Sequence, residues 1–162
     1  MTSCPRFSRK VSECESIIAY EFNSKSLCAQ ALNTAAGAMS VCVLDDSFKQ
    51  MPKNNRLAVY GDATAAAHLC SLWIKRGLPK HCWTTLRRDL ISNDNLASVG
   101  RGHGLHKCIN MNGGTTRVSS GMVATLSLGS CSILVSRNLL SLDRDVMIYG
   151  YDIQAWPLWG GE

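Results

Sequence analysis

None of the eight cysteines forms a CxxC pair; they stand singly at positions 4, 14, 28, 42, 70, 82, 108 and 131. That scatter excludes the paired ligand spacing of a structural zinc site. The opening MTSCPRFSRK has no apolar core after its charges, so a secretory signal and the disulfide framework of a secreted chain are not expected. No run approaches the roughly 20 apolar residues of a membrane span. Internal repeats and low-complexity tracts are also missing. The expectation is a soluble intracellular protein, cytoplasmic or mitochondrial, whose cysteines are reduced and fill the core. A large charge excess is absent as well: 17 basic against 12 acidic residues leave +5. Such a balance favours anionic partners without demanding them.

What is present suits one compact domain, with 162 residues, 46% apolar and 18% charged. Val11 to Phe22 carries Val11, Cys14, Ile17 and Ile18 at helical spacing. Leu27, Ala31 and Leu32 continue as a second short helix, and Gly37 to Met51, with Asp45-Asp46 inside it, reads as a loop. Asn54 to Ile74 has no proline, one glycine and an alanine-rich centre, which predicts a long helix packed on several sides. Arg76-Gly77 and Pro79 end it. Helices are expected from Thr84 to Ser92 and from Asn95 to Val99, then a glycine-rich turn. A last one is expected from Ser119, as its N-cap, to Val135. The expected division is an extension over 1–10, a domain over 11–137 and an aromatic tail over 138–162.

Asn54-Asn55-Arg56-Leu57-Ala58-Val59-Tyr60-Gly61-Asp62 resembles the ribonuclease III signature, N-E-R-L-E-F-L-G-D. Asn54, Arg56, Leu57, Gly61 and Asp62 match. Upstream, Ile18 to Phe22 with Leu27 and Ala31-Leu32 is similar to that family's opening helices. Downstream, Leu86, Asp89 to Asn93, Asn95 to Ala97 and Gly104-Leu105 are similar to its fourth and fifth helices. The resemblance spans roughly residues 14 to 135. It implies an all-α domain, a two-fold dimer and a site where carboxylates on two facing helices hold divalent metal beside a scissile phosphate.

Most of those carboxylates are missing. Ala58 and Asn55 stand where the signature has glutamates, which leaves Asp62 as the residual acid of its helix. The stretch Met122 to Gly129 resembles the helix that supplies the other two acids, and puts Thr125 and Leu128 in their places. No Asp or Glu occurs between Asp94 and Asp143, so a shift of alignment does not restore them. A lone carboxylate cannot hold hydrated magnesium, which needs several oxygen ligands. No metal and no other cofactor is therefore expected, and cleavage in the family's manner should be absent or very weak.

Each remaining feature has a plain reading beside a functional one. Asp62 is a residual site group or a relic bonded within the bundle. His68 lies about 240° round the helix from it, off its face. His103 and His106 sit in a glycine-rich turn without an accompanying acid, either as exposed turn residues or as acid-base groups. Lys75, Arg76, Lys80, Arg87 and Arg88 crowd one helix connection, with Arg101 and Lys107 later. They form a solvated face or a patch that meets RNA phosphates. Trp156 to Trp159 is too apolar for a free tail and either folds back or joins a subunit contact.

Two functional classes follow. One is a catalytically impaired ribonuclease III-like module that binds structured RNA or acts as a dimeric scaffold in RNA processing or on a ribosome. The other is a repurposed small-molecule enzyme, with the emptied groove and Asp62 as its site. Basic clustering favours the first; the small residues around Asp62 keep the second open.

Overall fold

The structure, a computed structural model, describes the backbone of residues 5–138 and the side chains of 7–129. Six α-helices run through these residues: α1 Pro5–Ile18, α2 Lys25–Leu32, α3 Asn55–Lys75, α4 Lys80–Ile91, α5 Asn93–Gly102 and α6 Ser120–Asn138. Short 3-10 turns cover Gly37–Ser40 and Leu105–Cys108. One hairpin, β1 Val41–Leu44 and β2 Ser47–Gln50, interrupts an otherwise all-α fold. Among the described residues, no helix is long and apolar enough to cross a membrane.

Besides shifts of a few residues at the ends of α4 and α5, two elements depart from the sequence reading. Helix α1 begins at Pro5, six residues before the expected start, and Phe7 is wholly buried. Proline suits a first helical turn because its missing N–H has no intrahelical partner there. Phe7, Val11 and Cys14 are spaced as one buried face, which the charges of Arg9 and Lys10 obscure. The expected loop over Gly37 to Met51 contains the hairpin. Leu44 pairs with Ser47, and Asp45 and Asp46 both have positive φ, 51° and 54°. Two left-handed residues between antiparallel strands follow the right-handed twist of a hairpin. Ser8 on α1 completes the edge of β1: its hydroxyl donates to the Val43 carbonyl at 2.9 Å and accepts from the Val43 N–H at 3.1 Å.

The core has two parts. The main one gathers Phe7, Val11 and Cys14 from α1 with Leu32, Leu96, Leu105, Val123 and Leu126. A smaller one joins Ala65 and Leu69 of α3 to Leu86, Leu90 and Ile91 of α4. Helix α6 runs between α3 and α5. A Cβ built on Gly61 would lie 2.0 Å from the Leu128 carbonyl oxygen, and one on Gly100 would lie 2.7 Å from the Ser127 hydroxyl and from a Val123 methyl. Both helices approach α6 this closely because they carry glycine at the contact. The N-cap expected of Ser119 forms, its hydroxyl accepting from the Met122 N–H at 3.2 Å. Gly77, with φ +62°, makes the turn from α3 to α4.

Buried cysteines do the filling work expected of them: Cys14, Cys28, Cys42 and Cys108 are inaccessible, and no disulfide links the described cysteines. Cys4, the side chain of Cys131 and the Trp156 to Trp159 segment lie outside the described residues.

Candidate functional site

Helix α3 carries the signature run. Asn54, just ahead of it, is buried, and its side-chain amide donates to the Ala31 carbonyl at 3.0 Å. Its N–H donates to the Asn33 carbonyl at 3.0 Å. Asn33 in turn donates from its amide to the carbonyls of Met51 at 2.8 Å and Pro52 at 3.1 Å. Its side-chain oxygen accepts from the Asn110 amide at 2.9 Å and from the Ala35 N–H at 3.2 Å. Three buried asparagines thus tie the end of α2, the start of α3 and the loop after Cys108. Buried amides of this kind need all their partners. Asn33 and Asn110, 77 positions apart, carried no sequence signal that would pair them.

Further along α3, the small residues do not line an opening. Ala58 is buried in the main core, Ala65 in the smaller one, and Gly61 touches the backbone of Leu128. The Thr125 hydroxyl is turned onto its own helix, donating to the Gly121 carbonyl at 2.6 Å, and Leu128 is buried. Neither Thr125 nor Leu128 brings a charge to this part of α6.

Asp62 falls on the side of α3 that also holds Ala66 and Trp73, along which α4 packs. Its carboxylate lies 3.9 Å from the guanidinium of Arg87 on α4, each side chain about half exposed. Trp73 locks this pairing of helices: its indole N–H donates to the Pro79 carbonyl at 3.1 Å, and its ring lies 6.0 Å from that of Trp83. The partner of Asp62 is therefore a cation. Among the described residues, no group of three or more His, Cys, Asp or Glu side chains is placed to hold a metal ion.

The basic residues separate into groups. Lys75, Arg76 and Lys80 surround the α3–α4 turn and are exposed. Asp62 lies thirteen positions before Lys75, about 20 Å along the helix at 1.5 Å per residue, so Arg87 and Arg88 sit well down the hairpin from that turn. Arg88 donates to Asp89 at 2.8 Å, and this carboxylate raises its affinity for the proton above the ordinary value. Arg101 ends α5 and donates to the Val118 carbonyl at 2.9 Å, while Lys107 is exposed on the 3-10 turn that follows. The run that looks like one crowd in sequence spreads from the α3–α4 turn down α4.

The histidines offer less. His68 is half-buried with its Nε2 unpaired, and burial lowers its affinity for the proton. His103 is exposed at the end of α5, and His106 is partly buried with an unpaired Nδ1. Among the described residues, no carboxylate is hydrogen-bonded to His68 or His106.

No family model and no curated protein matches the chain. Among solved structures, the nuclease domain of ribonuclease III from Campylobacter jejuni is similar, with 23% identity, a TM-score of 0.48, and cover of 80% of this chain and 83% of that one. That likeness is too loose to bear on chemistry, which rests on the side chains above.

Proposed function

We propose that this chain is a non-cleaving ribonuclease III-like module that binds structured RNA, or holds it as a dimeric scaffold, through the cationic strip of the α3–α4 hairpin. One observation carries the proposal: Asp62, the acid that the signature retains, faces the Arg87 guanidinium rather than other carboxylates. A phosphodiesterase of this kind needs several oxygen ligands to hold divalent metal. A carboxylate beside a guanidinium is instead nearly neutral as a pair. The phosphate backbone of a duplex then meets Lys75, Arg76, Lys80 and Arg87 with no cluster of acids to repel it. The small-molecule alternative is weaker, because Ala58, Gly61 and Ala65 serve close packing rather than the floor of a groove.

The test pairs two assays on the unmodified protein. Fluorescence anisotropy with an RNA duplex should show binding that weakens steeply with salt and is indifferent to sequence. Incubation of a long duplex with magnesium should leave it intact. Magnesium-dependent turnover that vanishes in Asp62→Asn would overturn the proposal, as would a lack of duplex binding at low salt.

A further inference from the structure

Resting on that proposal, we infer that Asp62 is a built-in competitor for Arg87, which biases the hairpin against small anions and toward long polyanionic backbones. Asp62 is the only acid on α3, and Asp89 the only one on α4. Each faces one of two neighbouring arginines, in different ways. Arg88 is engaged by Asp89 at hydrogen-bonding distance, 2.8 Å. Arg87 stands 3.9 Å from Asp62, beyond the 2.7–2.9 Å range of a charge-assisted hydrogen bond. The attraction is therefore coulombic, between side chains 54% and 46% exposed, and it leaves the guanidinium's donors available to an incoming oxyanion.

A phosphate that takes Arg87 must sit beside the Asp62 carboxylate and be repelled by it. A single phosphate has no other contact with which to offset that repulsion. A long backbone does, because Lys80, seven residues before Arg87 on α4 and so about 10 Å from it, and Lys75 at the end of α3, about 20 Å along that helix from Asp62, bind other phosphates of the same chain. The pair thus discriminates by the length of the anion.

The experiment is a double-mutant cycle on the full chain: unmodified protein, Asp62→Asn, Arg87→Ala and both together. The salt concentration for elution from heparin is measured for each, alongside affinity for an RNA duplex and for inorganic phosphate. Asp62→Asn is expected to delay elution and tighten duplex binding about two- to fivefold, the range set by an exposed ion pair. It should improve phosphate binding by a larger factor than duplex binding, because the duplex keeps its contacts at the turn and a single phosphate at Arg87 has none; equal factors would overturn the bias by length. Arg87→Ala is expected to weaken duplex binding and lower the slope of log affinity against log salt by about one. With Ala at 87, Asp62→Asn should change little.

Equal effects of Asp62→Asn in both backgrounds would show simple loss of a negative charge and overturn the inference. So would failure of the unmodified protein to be retained on heparin at low salt. Coupling on heparin without duplex binding would sink the RNA proposal alone, whereas duplex binding with additive effects would sink only the Asp62–Arg87 inference. Asp62→Ser serves as a second removal of the carboxylate, and melting curves confirm that each variant is folded.

Discussion

Gly61 shows how a signature residue can be kept for packing after the chemistry around it has gone. Alanine there would gain roughly 1 kcal/mol of helix propensity over glycine. Its Cβ, however, would meet Leu128 backbone atoms at 2.0, 2.6 and 3.2 Å, and backbone cannot swing aside as a flexible side chain does. Overpacking of this kind costs about 1–3 kcal/mol, occasionally more, so the steric cost wins. Gly61→Ala should lower the melting temperature by several degrees; an unchanged or raised value would mean that α3 and α6 can separate freely. His68 offers a second test at this scale. Burial makes the folded chain bind its proton less readily than the unfolded chain does. Stability from neutral His68 is thus fully present above the unfolded value of about 6.5 and is lost as pH falls through it. The urea midpoint should fall between about pH 7.5 and about pH 5.5, and His68→Gln should flatten that fall relative to the unmodified protein. Identical pH profiles would remove His68 from the account. The thiols behave in the opposite sense. Contact with Cys108 pulls Cys14 down, but its hydrogen bond to Cys28 and its burial outweigh that and push it up to about 12. That keeps it protonated and inert in the fold.

At the scale of elements, legibility in the sequence followed the strength of local signals. The long helix, its glycine stop and the Ser119 cap could be read because each is set by residues within a few positions. The start of α1 was obscured because its buried face relies on Phe7, set among charged and polar residues. The hairpin leaves no such signal, because its strands have four residues each and β2 is mostly exposed, so no alternation of apolar and polar residues marks it. The relation of Asp62 to Arg87 was beyond reach: it spans 25 positions and depends on how α4 lies against α3. The hairpin turn yields its own prediction. Asp45 and Asp46 hold φ of 51° and 54°, a conformation in which any side chain is disfavoured but glycine is at ease. Asp46→Gly creates the Asp-Gly turn preferred between such strands and leaves the Asp45–Lys49 ion pair, 3.3 Å, in place. It should stabilise the protein by about 0.5–1 kcal/mol, read as a raised denaturation midpoint. A lowered one would show that glycine's added freedom in the unfolded chain outweighs the relief of strain.

For the whole molecule, the face of α3 turned away from the core is the feature that bears on assembly. Val59, Tyr60, Ala63, Ala67 and Ile74 lie within about 100° of one another round the helix, and Val59, Tyr60 and Ile74 are 73%, 52% and 66% exposed. An exposed apolar stripe of this kind is the mark of a contact surface. We propose a second copy as the partner, since an antiparallel two-fold pairing about Ala67 would set Val59 of one copy opposite Ile74 of the other, with small side chains where the axes cross. Such an arrangement would also join two cationic hairpins into one longer surface for a duplex. Sedimentation should therefore give a mass near twice 17.7 kDa at micromolar concentrations. Val59→Glu combined with Ala63→Glu, both exposed in one copy, should yield a folded monomer with weaker duplex binding. A monomer for the unmodified protein across the whole concentration range would end the dimer proposal, and a dimer that survives both glutamates would place the contact elsewhere on the molecule.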